Sequence, residues 1–140
     1  MFSYKKVWLI DDDVITNFIN ERLITLSQFT EDVAIFNTVE EALSLLEETI
    51  KTNESEFPDI IFLDISMPGL DGWDFLNAYR MLPKEKRSKC ELYMLSSSLD
   101  KGDIHMANDY EEVVDFISKP LSQEDLEVIK FRKTNSLEAL

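Results

Sequence analysis

The apolar positions follow two alternating rhythms along the chain. Val7-Trp8-Leu9-Ile10, Val33-Ala34-Ile35-Phe36, Ile60-Ile61-Phe62-Leu63 and Leu92-Tyr93-Met94-Leu95 are short continuous runs, and Val113–Ile117 is a fifth, mixed one. Runs of that length bounded by polar residues predict strands buried on both faces, as in parallel sheets. Between them the spacing lengthens to three and four. Val14, Ile15, Phe18, Ile19, Leu23 and Leu26 predict a first helix lying on the sheet by that stripe. Val39, Ala42, Leu43, Leu46 and Ile50 predict a second, opened by Thr38 and Glu41 at capping-box spacing. Phe75, Leu76 and Tyr79 mark a third, closed by Pro83, where Trp73 and Tyr79 read as core packing. Ile104–Asn108 is a short fourth. Leu126 and Ile129 mark the last, which Ser122 and Asp125 can cap.

The links are polar or turn-forming: Lys51–Phe57, Met67-Pro68-Gly69, Asp71-Gly72 and Lys84–Lys89. Strands alternating with helices over short links predict an α/β fold, a doubly wound five-stranded parallel sheet with helices on both faces. There is no repeat and no linker, so residues 1–130 form one domain, with residues 131–140 expected as a frayed tail.

Composition narrows the function. In 140 residues, 28 acids against 14 lysines and arginines give a formal net charge of −14. That balance argues against nucleic acid and anionic membrane as partners, since both require positive charge. Apolar residues at 44% and aromatics at 11% supply an ordinary globular core. One cysteine, Cys90, and one histidine, His105, exclude an internal disulfide and a structural zinc site. Cys90 reads as a small core residue and His105 as structural or on the surface. No apolar stretch approaches the ~20 residues of a spanning helix, and the first residues lack the run of a signal peptide. A cytoplasmic protein is expected.

In a doubly wound sheet, ligands bind beyond the carboxyl ends of the strands. There the chain offers Asp11, Asp12 and Asp13 after strand one, Asp64 after strand three, Ser96 after strand four and Lys119 with Pro120 after strand five. Clustered carboxylates repel one another, which raises the pKa of at least one, and a hard divalent cation such as Mg2+ removes that cost. A carboxylate can also attack phosphorus to form an acyl phosphate, with a hydroxyl and an ammonium holding the phosphoryl oxygens. Alone, Asp11–Asp13 would pass for a solvated acidic turn, and Asp13 itself suits a helix N-terminus. Ser97 and Ser98 read as a polar turn.

Asp11-Asp12, Asp64 with Met67-Pro68-Gly69 and Asp71-Gly72, Ser96, and Lys119-Pro120, each in order at its own strand end, together resemble the receiver domain of two-component response regulators. The likeness is to the chemotaxis-type, stand-alone form and covers about residues 5 to 130. The resemblance implies a flavodoxin-like strand order 2-1-3-4-5. It makes Asp64 the phosphoacceptor, Asp12 a direct Mg2+ ligand, Asp11 a ligand through water and the Ser66 main-chain carbonyl a third ligand. Ser96 becomes the switch hydroxyl, Lys119 the conserved-type lysine, and Phe116 the aromatic switch position, working by packing because it has no phenolic hydroxyl. A sensor histidine kinase or a histidine phosphotransfer protein would donate the phosphoryl group. A downstream protein would read the face of helix four, strand five and helix five. Such a module is no enzyme beyond phosphorylating itself from small donors and dephosphorylating itself. Ala107-Asn108-Asp109-Tyr110-Glu111 stands where the family commonly has a small Ala-Gly-rich segment.

Three rivals remain. A flavodoxin-type electron carrier needs a Ser/Thr/Gly-rich phosphate loop after strand one, where this chain has three acids. An aspartyl-nucleophile phosphohydrolase needs a second acid two residues after Asp64, where Ser66 stands. A phosphate-independent receiver-like scaffold would not need every chemical position filled.

Overall fold

The computed structural model describes residues 2–97 and 100–138, with side chains as far as 133. The strands are β1 (Val7–Ile10), β2 (Val33–Phe36), β3 (Ile60–Asp64), β4 (Glu91–Ser96) and β5 (Val113–Ser118). All pair in parallel, in the order β2-β1-β3-β4-β5. The helices are α1 (Val14–Leu26), α2 (Val39–Thr52), α3 (Gly72–Tyr79), α4 (Lys101–Ala107) and α5 (Gln123–Glu138), with a 3-10 turn at Glu54–Glu56 and a single helical turn at Lys84–Arg87. This is the flavodoxin-like α/β arrangement expected from the sequence.

Strand alternation sorts the core into two layers. Trp8, Ile10, Ile61, Leu63, Leu92 and Met94 face α2 and α3, where they meet Val39, Leu46, Phe75 and Tyr79. Val7, Leu9, Ile60, Phe62, Tyr93 and Leu95 face the other way and meet Ile24 of α1 and Leu126 and Ile129 of α5. At β5 the register slips between Leu92 and Tyr93. Val113 pairs with Leu92 and Asp115 with Tyr93, which leaves Val114 as an extra residue.

Four details differ from the sequence reading. The apolar stripe of α1 does not lie on the sheet: Ile15 is 70% exposed and Phe18 61%, while Asn17 and Asn20 are 3% and 2% exposed. The reason is local. Asp13 caps α1 by accepting from the Ile15 and Thr16 N–H groups, and the Asn17 amide donates to the Asp11 carbonyl at 2.8 Å. That anchor turns the Asn17, Asn20, Ile24 stripe inward. The segment 84–89 is not all loop, because Lys84–Arg87 makes one helical turn, pinned by Arg87 Nε on the Leu82 carbonyl. The expected frayed tail is helical as far as Glu138. Lys133 holds it from below by donating to the Ser3 carbonyl and lying over the Tyr4 ring, and Arg132 pairs with Asp115. The reciprocal capping box is built at Asp71 and Asp74, whereas Thr38 accepts from the Glu41 N–H. Ser122 and Asp125 do cap each other, as their spacing suggested.

Candidate functional site

β1, β3 and β5 end at the same edge, and their next residues converge there. Asp11 and Asp64 are buried and Asp12 is exposed. Among the described residues, these three carboxylates offer oxygen atoms that all lie within 4.8 Å of one another. The Lys119 ammonium bridges two of them, at 2.7 Å from Asp11 Oδ2 and 2.9 Å from Asp64 Oδ1. The other oxygen of Asp11 accepts from the Asp13 N–H at 2.9 Å, which folds the acid turn back on itself.

The electrostatics follow from burial. Desolvation pushes the Asp64 carboxyl above its ordinary value. The Lys119 hydrogen bond pulls it down, and the charges of Asp11 and Asp12 add to the rise. Burial on its own would lower the Lys119 ammonium, but its hydrogen bonds to Asp11 and Asp64 outweigh that, so its value ends raised. Asp13 is held low by its bond from the Thr16 N–H, as befits a cap. Three hard oxygen donors, one of them open to solvent, fit a small divalent cation that keeps several of its waters.

The surrounding loops bring up the remaining candidates. Ser96 ends β4, is buried, and accepts from the Lys119 N–H through its main-chain oxygen at 2.7 Å. Phe116 pairs in register with Met94, two residues before Ser96, so Ser96 and Phe116 share one face of the sheet. Phe116 is half-buried against the α2–α3 core. Ser66 is exposed, two residues beyond Asp64. Ser97 follows β4, and Ser98 lies outside the described residues. A cavity of about 390 Å³ runs beside the site between α1 and the end of β5, lined by Asp13, Thr16, Ile19, Asn20, Ser97, Lys119 and Pro120. A larger one, about 670 Å³, opens at the opposite end of the sheet by Tyr4 and Lys5, where the acids Glu31, Asp32, Asp59 and Glu91 are interleaved with Lys5, Lys89 and Lys133.

Two positioning features escaped the sequence reading. Asn17 ties α1 to the acid turn through the Asp11 carbonyl, and Asn20 is buried at the cavity beside Lys119; their signal was a polar pair at helical spacing inside an apolar pattern. Gly72, taken only as turn chemistry, permits a close approach. A Cβ there would lie 2.6 Å from the Asp64 carbonyl oxygen and 2.9 Å from Ile65 Cα. The first residue of α3 is thus pressed on the end of β3, and its N–H donates to the Ile65 carbonyl at 2.9 Å. Gly69 nearby has φ +77° with open space around it.

Comparison with known proteins gives the same answer over the same span. The family model of the response regulator receiver domain matches residues 7–129. A probable C4-dicarboxylate response regulator, DctR, of Bacillus subtilis is 29% identical over 119 residues, covering 85% of this chain and 47% of its own. The chain spans about half that relative's length. Among solved structures, a two-component response regulator from Cytophaga hutchinsonii superposes with TM-score 0.85 at 31% identity, covering 94% of this chain and 98% of that one. A receiver protein from Dyadobacter fermentans gives 0.80 at 30% identity, covering 91% and 96%. The chain belongs to the response regulator receiver domain family.

Proposed function

We propose that Asp64 is a phosphoacceptor and that the domain is a switch set by its phosphorylation. The observation that carries this is the Lys119 ammonium seated between Asp11 and Asp64 at the strand ends, with Asp12 beside them. The donor is a phosphohistidine of a sensor histidine kinase or of a phosphotransfer protein. The Asp64 carboxylate oxygen attacks phosphorus, the P–N bond breaks, and the imidazole leaves with a proton from water. Asp11, Asp12, Asp64 and the Ser66 carbonyl would hold Mg2+, which supplies charge neutralisation of the phosphoryl oxygens. Lys119 then pairs with the phosphoryl group, and the Ser96 hydroxyl donates to it by moving inward. The domain also phosphorylates itself from small donors and dephosphorylates itself, with no other catalysis.

The phosphoryl group adds about two negative charges at the strand ends. Ser96 moving toward them vacates space on the face it shares with Phe116, and Phe116 turns into it. The reading surface is the face of α4, β5 and α5, where Met106, Val114 and Phe131 are exposed. The donor approaches across the strand-end edge, past α1. The bare apolar face of α1 and the cavity beside Lys119 adjoin the path to Asp64. No helix among the described residues is long and apolar enough to cross a membrane, in keeping with a cytoplasmic place.

Acetyl phosphate with Mg2+ tests the assignment. One base-labile phosphoryl adduct is expected on the wild type by intact mass and none on Asp64→Asn. A base-stable adduct, or full labelling of Asp64→Asn, overturns it in favour of another phosphorylated residue, and no adduct on the wild type overturns it in favour of a phosphate-independent scaffold.

A further inference from the structure

Tyr110 stands in the link from α4 to β5, yet it leans on α3 as well as on the core. Its hydroxyl donates to Asn77 Oδ1 at 2.8 Å. Its ring centre lies 5.8 Å from that of Trp73, and the Arg80 guanidinium stands 4.5 Å over it. Arg80 also donates to the Asp109 carbonyl at 3.4 Å and pairs with Glu112 at 3.4 Å; Arg87 meets the same Glu112 oxygen at 3.6 Å. Residues 109–112 are therefore held by α3 and the turn after it, on both sides of Tyr110.

The sheet holds this segment less firmly. β5 is an edge strand, and its first residues pair through a bulge, with Val114 and Asp115 exposed. Tyr110, Val113 and Phe116 pack against the same core cluster as Trp73. A Phe116 ring that turns toward Ser96 thus leaves a place bordered by the very segment that Tyr110 fastens. Glu112, its side chain 5% exposed, stays paired with Arg80 and Arg87, while the contacts that Tyr110 itself makes can bias the segment and still release it. An exposed neutral hydrogen bond, a tilted ring pair and a cation–π contact are each modest.

We propose that Tyr110 is a latch. Docked on Asn77, Trp73 and Arg80, it holds the α4–β5 link in the unphosphorylated arrangement, and it leaves α3 when Phe116 turns inward. This rests on the phosphoacceptor role of Asp64 given above. Its consequence is that α3, and not only the α4–β5–α5 face, reports the phosphoryl group.

The test is NMR of the full chain with and without beryllofluoride and Mg2+. The chain has two tryptophans, so two indole N–H signals, and Trp73→Phe identifies which is which. In the wild type, beryllofluoride should move the Asp64 amide, the Phe116 amide and the Trp73 indole together. Tyr110→Phe keeps the ring but removes the bond to Asn77, and Asn77→Ala removes the same bond from the other side. Each should raise the switched population about fivefold without beryllofluoride, moving the α4–β5 signals partway along the wild-type path. The double variant should move them no further. A Trp73 indole that stays still while Phe116 moves overturns the latch. So do variants whose unliganded spectra keep the wild-type α4–β5 positions. An Asp64 amide that ignores beryllofluoride overturns the phosphoacceptor role instead, and the latch falls with it.

Discussion

α1 and α2 carry apolar stripes of the same period, and the fold uses them in opposite ways. α2 turns Val39, Ala42 and Leu46 into the core, with its acids outside. α1 turns Asn17, Asn20 and Ile24 inward and leaves Val14, Ile15, Phe18, Ile19 and Leu26 in water. Periodicity finds a face, but it does not say what covers that face. On α2 the cover is the sheet. On α1 the inward Asn17 amide serves the acid turn, and the apolar face is left in water. α2 is built for stability, whereas α1 and the loops beside it hold a charged site in place.

The largest test of that contrast is in α2. Leu46→Ala should cost about 2–5 kcal/mol, read as a fall in the urea midpoint at unchanged slope, because a fully buried side chain is replaced by a cavity. A loss under 1 kcal/mol would break the comparison at its stable end. Asn17→Ala should cost roughly 1–3 kcal/mol by leaving the buried Asp11 carbonyl short of its donor. Unlike Leu46→Ala, it should also weaken Mg2+ binding in the same titration. Magnesium at ten times its Kd should stabilise the wild type by about 1.4 kcal/mol in thermal melts, and Asp12→Ala much less.

Asp64→Asn sharpens the contrast further, since it should stabilise the metal-free protein. The folded-state pKa of Asp64 is raised, so between the unfolded and folded values the folded state binds the extra proton, and stability falls as pH rises through that window. The asparagine variant lacks that loss. Its advantage should be full near pH 7 and shrink as pH falls toward the ordinary aspartate range. Paired melts across pH measure it, and a variant less stable at pH 7 contradicts the electrostatic account. The smallest effect belongs to the exposed stripe. Phe18→Ala should change stability by no more than about 0.5 kcal/mol. Labelling by acetyl phosphate should be unchanged, and transfer from a phosphohistidine protein should slow about tenfold.

Most of the site was legible because each chemical residue sits at the end of its own strand, and strand ends are the easiest boundaries to read from apolar runs. Asp11, Asp64 and Lys119 needed no more than that and the α/β topology to be placed at one edge. α1 was misread because its rotation is set where the Asn17 amide donates to the Asp11 carbonyl, and hydropathy has no mark for that bond. The helical tail past Arg132 depends on Lys133 reaching residues 3 and 4, a contact across the whole length of the chain. The latch on Tyr110 was visible only as an unusual segment before β5, since its partners lie on a helix some thirty residues earlier.

The two glycines of the β3–α3 loop show how a mutational survey of this domain would mislead. At Gly72 there is no room for even a methyl group against the Asp64 main chain, so alanine there should abolish signalling as completely as a change at Asp64 itself. At Gly69 the space is open and only the backbone angle resists, so asparagine, which tolerates that conformation, should pass nearly unnoticed. A screen scored on output alone would rank Gly72 among the chemical residues. Scored beside protein abundance, it would stand apart from them, as a position selected for the absence of a side chain.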